Sequence, residues 1–202
     1  MKGMEMSQEM NTPSMEQVVL LDDAGHAVGL ADKAVVHGPD TPLHLAFSCY
    51  VFDPEHRLLL TQRAWHKVTW PGAWTNSCCG HPAPGEAFAT AVHRRTTQEL
   101  GLELVDLTLL LPEFRYRVEM PDGTVENELC PVFAATTTGP VRSDPDEVAD
   151  HRWVPWAEFR AGVLDGTLDV SPWCVIQVSQ LPEEPYFAPA ADPARLPPAA
   201  RG

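Results

Sequence analysis

The sequence has no apolar run long enough to cross a bilayer. Its longest apolar stretches, such as residues 107–111, are far shorter than the roughly 20 residues that a spanning helix needs. Residues 1–17 are rich in Met and Glu and contain no apolar signal core, so we expect no secretory signal. Both absences argue against a membrane partner.

Basic residues are also scarce. The 202 residues include 14 Lys and Arg against 28 Asp and Glu, which gives a formal net charge of −14. Nucleic acid is therefore excluded as a partner, because its phosphates require a basic surface. A local basic cluster or a metal ion can still bind a small anionic molecule, since local charge can override the overall sign.

Cysteine is present in an odd number and without a repeating spacing. The five residues are Cys49, Cys78, Cys79, Cys130 and Cys174. This pattern is not a disulfide framework, and it indicates a reducing cytoplasm. A zinc module used for protein interaction is excluded as well, because it would need paired C-x2-C knuckles.

Turn residues and hydrophobic patterns predict more strands than helices. Strands are expected at residues 17–21, 27–30, 45–52, 57–63, 104–111, 114–120, 125–135 and 151–154, and helices at 86–100, 156–164 and 172–181. We therefore predict a single α/β or α+β domain over residues 17–181. Residues 1–16 are expected to form a flexible extension, and the Pro- and Ala-rich residues 182–202 a disordered tail.

Two short segments carry groups suited to acid–base chemistry. Cys79 and His81 are two residues apart in a loop rich in polar residues and Gly, and Glu126 and Glu128 have the same spacing in an alternating segment. In an extended strand this spacing places both side chains on one face. A thiol, an imidazole and two carboxylates together favour a metal-assisted acid–base site, although Cys79 could equally be a structural thiol.

Two more imidazoles could complete a metal site. His37 and His44 flank a loop that contains Gly and two Pro, and with His81 and the glutamate pair they form a His₃Glu₂ set. Such a set suits Mg²⁺, Mn²⁺ or Zn²⁺. The alternative is that the histidines are ordinary loop residues and the glutamates a solvated strand face.

Several further side chains have both a functional and an ordinary interpretation. The basic residues Lys33, Arg63, Lys67, Arg94 and Arg95 could hold phosphate oxygens or simply keep the surface charged. Trp173 could stabilise a cation through its ring face or be a core aromatic. Tyr116 could donate a hydroxyl hydrogen bond or only pack.

Part of the sequence matches the Nudix box, a loop–helix–loop that holds a diphosphate-bound metal. The matching residues are Gly80, Glu86, Arg94, Glu99, Gly101 and Leu102. Arg95, Thr96 and Gln98 depart from the pattern, and Gln98 replaces a metal-binding Glu. A Nudix diphosphate hydrolase is therefore the alternative function, weakened by the missing carboxylates.

Five further motifs follow one another in order, at residues 43–48, 70–82, 114–117, 126–133 and 171–173. With them the chain more closely resembles type I isopentenyl-diphosphate Δ-isomerases, which share the Nudix fold, and the resemblance extends over residues 18–178. It implies a Nudix-like mixed β-sheet sandwiched between helices. The implied reaction interconverts isopentenyl and dimethylallyl diphosphate for isoprenoid biosynthesis, in a cytoplasmic enzyme that we expect to be a monomer.

The resemblance also assigns roles to individual residues. The implied metal ligands are His37, His44, His81, Glu126 and Glu128. Cys79 matches the catalytic thiol and Glu128 the opposing carboxylate, while Glu99 and the Cys79 carbonyl match a Mg²⁺ site that bridges to the diphosphate.

The remaining implied roles concern substrate. The positions that match diphosphate contacts are Lys33, Arg63, Lys67 and Arg95. Tyr116 matches a hydroxyl that hydrogen-bonds Glu128, and Trp173 matches an aromatic ring facing the carbon chain.

Overall fold

The computed structural model describes residues 16–201, so the predicted extension lies outside the described residues except for Glu16. The strands are β1 Gln17–Leu21, β2 Ala27–Asp32, β3 His44–Leu45, β4 Phe47–Phe52, β5 Arg57–Arg63, β6 Trp74–Thr75, β7 Cys78–Gly80, β8 Val105–Leu111, β9 Arg115–Glu119, β10 Val125–Leu129, β11 Val132–Thr136 and β12 Val148–Pro155. The helices are α1 Phe88–Leu100, α2 Trp156–Leu164 and α3 Pro172–Gln180. Within residues 16–201, no helix is long and apolar enough to cross a membrane.

The strands form two mixed sheets. The first has the order β2-β1-β3-β10-β9, and the second has the order β12-β5-β4-β11-β8, with β6 and β7 pairing at β5 and β4. In each sheet one pair is parallel, β3 with β10 and β4 with β11. The predicted α/β class with mixed sheets is confirmed.

The chain passes from one sheet to the other at two adjacent places. We predicted single strands at residues 45–52 and 125–135, and both predictions are wrong, because the first breaks at Ala46 and the second at Cys130–Pro131. Pro131 has no N–H to donate to a ladder, which favours a break there. The two sheets separate beyond these crossings, with His44 and Glu128 paired in one and Ser48 and Cys79 paired in the other.

The second sheet is buried on both faces. Along β4, Phe47, Cys49 and Val51 belong to a core cluster that contains residues of α1, whereas Tyr50 and Phe52 belong to a cluster with residues of α2 and α3. This alternation follows from the two-residue period of a strand. Helices therefore cover both faces, and each fully buried large apolar side chain contributes about 1.5–3 kcal/mol.

Helix α1 is slightly shorter than predicted at its start and ends where the sequence indicated. It begins at Phe88, and Gly101 follows its last residue with φ 63°. The Gly101 N–H caps the carbonyls of Thr96 and Thr97. A left-handed backbone at this position is the usual way to end a helix and favours Gly.

Residues 182–201 fold against the body of the protein, which corrects the prediction of a disordered tail. Two short 3₁₀ turns, Pro193–Arg195 and Pro198–Ala200, follow one another here. The N–H groups of Ala191 and Ala199 donate to the carbonyls of Leu109 and Gly25. The Pro and Ala content of this segment suggested disorder, but Pro lowers the entropy that the backbone loses on folding, and Ala side chains still bury apolar surface.

We expect Gly101→Ala to destabilise the protein by more than Gly166→Ala. Both glycines follow a helix with positive φ, but a Cβ at Gly101 would lie 2.9 Å from the Arg142 Cβ, whereas Gly166 has open space. The backbone strain, about 1 kcal/mol, is shared, so the difference measures the steric contact. Denaturant unfolding of both variants measures it, and equal losses would contradict the contact.

Candidate active site

A cavity of about 410 Å³ lies where the two sheets separate. Of the site residues that the isomerase resemblance assigns, all but one line it, namely Lys33, His37, Arg63, Lys67, Cys79, His81, Arg95, Glu99, Tyr116, Glu126, Glu128 and Trp173. The exception, His44, is fully buried and contacts Glu128 from the neighbouring strand. Residues that are distant in sequence thus surround one space.

Three imidazoles and one carboxylate form a compact cluster at one end of the cavity. Ligand atoms of His37, His44, His81 and Glu128 all lie within 4.8 Å of one another. His44 Nε2 is 3.5 Å from Glu128 Oε1, and His81 Nε2 is 3.2 Å from the same oxygen. Glu126, the fifth predicted ligand, lies outside this group.

The cluster has the properties of a metal site. His44 Nδ1 lies 2.9 Å from the Pro42 carbonyl, which makes that nitrogen an N–H donor, so that a neutral His44 presents the lone pair of Nε2 to a metal. His44 Nε2 is buried without a hydrogen-bond partner among the described residues. Burial and the nearby His44 lower the pKa of His37 to about 4, so its imidazole is neutral and able to bind a metal near pH 7.

The two glutamates have opposite electrostatic environments. Burial and the neighbouring Glu128 raise the pKa of Glu126 to about 7. Burial acts on Glu128 in the same direction, but the His44 and His81 imidazoles beside its carboxylate outweigh burial and hold the pKa of Glu128 well below its usual range. The Tyr116 hydroxyl lies 2.8 Å from Glu128 Oε2 and 3.1 Å from Glu126 Oε2, so it can donate to either.

Cys79 faces the cavity from the other sheet. Its Sγ lies 3.3 Å from Ser48 Oγ and 3.3 Å from Asn76 Oδ1. Burial raises the pKa of Cys79 to about 12, so the group is a thiol at neutral pH. The same Asn76 oxygen accepts the indole N–H of Trp173 at 3.2 Å, which ties the positions of the thiol and the aromatic ring together.

Aromatic rings form one wall of the cavity. Trp173 stacks on Tyr116 with ring centroids 6.0 Å apart and meets Trp70 edge-on at 6.2 Å. The Arg63 guanidinium lies 5.6 Å from the Trp173 ring centroid and is held by the Thr69 carbonyl. This wall suits an apolar group or a cation.

The predicted basic residues are each paired with a carboxylate or anchored. Lys33 contacts Glu16 at 2.5 Å, and Lys67 contacts Glu147. Arg95 lies 2.5 Å from Glu99 and 3.3 Å from Glu147. Arg94 pairs with Glu86 and does not line the cavity, so it joins no phosphate site here.

Sequence reasoning missed four residues of this site. Glu16 and Glu147 pair with the basic residues, and Ser48 and Asn76 contact the thiol. Ser48 and Asn76 stand inside recognised motifs, so their position was a usable signal. Glu16 and Glu147 lie among other acidic residues, and nothing local distinguishes them.

Comparison with known proteins identifies the family. A NUDIX domain model matches residues 42–174. The isopentenyl-diphosphate Delta-isomerase of Saccharopolyspora erythraea is 60% identical over 189 residues, which cover 92% of this chain and 97% of that protein. The chain belongs to the isopentenyl-diphosphate Delta-isomerase family.

Further comparisons agree with this family. A Mycolicibacterium vanbaalenii protein with the same name is 58% identical, over 84% of this chain and 93% of its own. A crystal structure of a Deinococcus radiodurans protein matches 82% of this chain and 99% of its own with a TM-score of 0.64, and its 16% identity speaks for the fold alone.

We expect the purified protein to bind a divalent ion through the histidine cluster. His37→Ala or His81→Ala should weaken Zn²⁺ or Mn²⁺ binding by about tenfold or more, because each removes one ligand. Calorimetric titration of chelator-treated protein measures the affinity. His93→Ala, on the exposed side of α1, is the matched control, and an equal loss in that variant would contradict the assignment.

Proposed function

We propose that this protein interconverts isopentenyl diphosphate and dimethylallyl diphosphate by protonation and deprotonation through a tertiary carbocation. The observation that carries the proposal is a thiol and a carboxylate, Cys79 and Glu128, projecting from different sheets into one cavity. The names of relatives that match nearly the whole chain support the same reaction.

The reaction requires an acid and a base on the two sides of a small apolar group. An unactivated alkene is a very weak base, so its protonation forms a high-energy cation that water would capture. The two groups must be held close to the reacting carbons in a site that excludes water. A cavity with polar ends and an aromatic wall meets these requirements.

The protonation states of Cys79 and Glu128 support their use as an acid–base pair. Cys79 carries a proton at neutral pH, and Glu128 is a carboxylate beside the Tyr116 hydroxyl. Because the reaction is reversible, the group that donates a proton in one direction accepts it in the other. Tyr116 contacts both glutamates and can pass a proton to either.

Trp173 is the proposed stabiliser of the cation. It has 2% of its surface exposed, and its indole N–H is fixed by Asn76. A desolvated cation–π interaction contributes about 2 kcal/mol or more. If it arises only in the transition state, that corresponds to more than tenfold in rate.

The proposal includes two metal positions. His37, His44, His81 and Glu128, with Glu126 adjacent, would hold one divalent ion, Mn²⁺, Mg²⁺ or Zn²⁺, and Glu99 with the Cys79 carbonyl would hold Mg²⁺ beside the diphosphate. Such ions neutralise diphosphate charge and tune the carboxyl group that binds them. Glu128 is thus shared between the histidine cluster and the reacting face of the cavity.

The basic residues would hold the diphosphate end of the substrate. Lys33, Lys67 and Arg95 are paired with carboxylates, and Arg63 already contacts a carbonyl. A diphosphate can replace these partners with more negative charge. Anchoring the charged end leaves the five-carbon tail against Trp173, where the cation would form.

We further infer that the enzyme works in the cytoplasm as a monomer. All five cysteines are free in the structure, including the adjacent Cys78 and Cys79. A thiol that must carry a proton in catalysis needs a reducing compartment. Measurement of the molar mass of the protein in solution tests whether it is a monomer.

An isomerase assay separates the proposed function from the Nudix hydrolase alternative. Incubation with isopentenyl diphosphate should yield the allylic isomer, release no phosphate, and stop when a chelator is added. In deuterated solvent, the recovered substrate and product should carry deuterium. Phosphate release without isomerisation would support the hydrolase instead.

We expect Cys79→Ser and Glu128→Gln to lower turnover by orders of magnitude, roughly 10²-fold or more, because each removes a proton-transfer group. Cys49→Ser, which alters a buried thiol in the apolar cluster with α1 and outside the cavity, is the matched control and should retain activity. Steady-state kinetics and thermal unfolding measure the effects. A Cys79 variant with near-normal turnover would refute the role of the thiol.

We expect Trp173→Ala to lower turnover more than Trp173→Phe. Phe keeps a ring face toward the cation but loses the hydrogen bond to Asn76, whereas Ala loses both. The ratio of the two turnover numbers measures what the ring face contributes. Equal losses would argue that the hydrogen bond, and not the ring, is what the reaction needs.

A further inference from the structure

A series of hydrogen-bonded, buried polar side chains connects helix α3 with the Cys79 sulfur. Its members are Tyr50 and Ser48 on β4 and Gln177 on α3, and each has 0% of its surface exposed. None of the three lines the cavity. They lie beside the apolar cluster that joins the second sheet to helices α2 and α3.

The hydrogen bonds of this series have a direction. The Tyr50 hydroxyl donates to Gln177 Oε1 at 2.9 Å, which turns the amide nitrogen toward β4. Gln177 Nε2 then donates to Ser48 Oγ at 2.9 Å. The Ser48 hydroxyl accepts this bond and still has its own proton to give to a sulfur atom.

Two sulfur atoms are within reach of that proton. Cys79 Sγ lies 3.3 Å from Ser48 Oγ, and Cys130 Sγ lies 3.4 Å from it. Strand pairing places the Ser48 and Cys79 side chains next to each other, because the two residues are register partners in the β4–β7 ladder. A serine on β4 is therefore placed to reach the thiol whenever the two strands are paired.

On its other side the thiol meets an acceptor. The Cys79 S–H can donate to Asn76 Oδ1 at 3.3 Å, and the Asn76 amide nitrogen donates to the carbonyls of Cys49 and Cys78. The sulfur thus lies between a hydroxyl donor and a carbonyl acceptor, both on fully buried side chains. Two contacts from different segments fix its position better than either alone.

Packing alone does not explain these polar residues. A buried hydroxyl or amide costs free energy unless it is fully hydrogen-bonded, and an apolar side chain would fill the same core space without that cost. Here the polar series ends at the thiol that faces the cavity. Small displacements of a reacting group can lower the rate strongly, so a device that holds the sulfur has a catalytic use.

We propose that Ser48, oriented by Gln177, is a positioning residue that aims the Cys79 thiol into the cavity. The proposal rests on the proposed isomerase function. Ser48 does not touch the substrate space, so its effect should appear in turnover and not in the binding of the diphosphate end.

Ser48→Ala is the direct test. The variant removes one hydroxyl and introduces no steric conflict, and we expect kcat to fall about tenfold while KM stays within about twofold. Thr137→Val is the matched control, because it removes another buried hydroxyl, which donates to the Glu103 carbonyl and does not line the cavity. The control should lose stability without losing kcat.

Gln177→Met supplies an independent test that keeps the volume of the side chain. It should lower kcat on its own, and it should add no further loss to Ser48→Ala, because Gln177 acts through the Ser48 hydroxyl. Should Ser48→Ala fail to fold, Gln177→Met alone decides: an unchanged kcat overturns the proposal and a fall with constant KM supports it.

Three other results would overturn the positioning role. The first is an unchanged kcat in Ser48→Ala. The second is a loss of kcat in Thr137→Val as large as that in Ser48→Ala at a similar loss of thermal stability, and the third is additive losses of kcat in the variant that combines Ser48→Ala with Gln177→Met. The unmodified protein in the same assay keeps the two ideas apart. If it does not isomerise the substrate, the proposed function fails, whereas an active protein with a fully active Ser48→Ala variant refutes the positioning role alone.

Discussion

The gathering of two buried carboxylates, one buried imidazole and two half-buried imidazoles around one cavity is the constraint on which the rest of the structure depends. Glu126, Glu128 and His44 each have 6% or less of their surface exposed, in a chain with a large excess of acidic residues. Isolated charges in such a place would be strongly unfavourable. Hydrogen bonds from Tyr116 and contacts with the histidines offset part of this cost, and a bound cation would offset more.

The two-sheet architecture makes this arrangement stable. The parallel pairs β3–β10 and β4–β11 continue across the crossings at Ala46 and Cys130–Pro131, so the sheets are joined at the base of the cavity and separate above it. Helices on both faces of the second sheet bury its apolar residues independently of the polar site. The core thus supplies the stability that the buried charges reduce.

Opposing environments give similar groups different chemistry in the same cavity. The histidines hold Glu128 in its charged form, while burial beside that charge favours the protonated form of Glu126. Burial keeps Cys79 protonated on the facing sheet. A proton is therefore available on one side of the cavity and a carboxylate on the other before any substrate enters.

The sequence by itself located the candidate groups of the site, because Cys79, His81, Glu126 and Glu128 stand in short motifs, and the two-residue period of a strand predicts which neighbours share a face. It also located α1 and its terminal Gly101, since caps depend on local backbone conformation. Only the tertiary structure decided that Ser48 and Gln177 support the thiol, that Glu147 pairs with Lys67 and Arg95, and that residues 182–201 pack on the core. These contacts join residues far apart in the chain, and their energies depend on distances that no local pattern encodes.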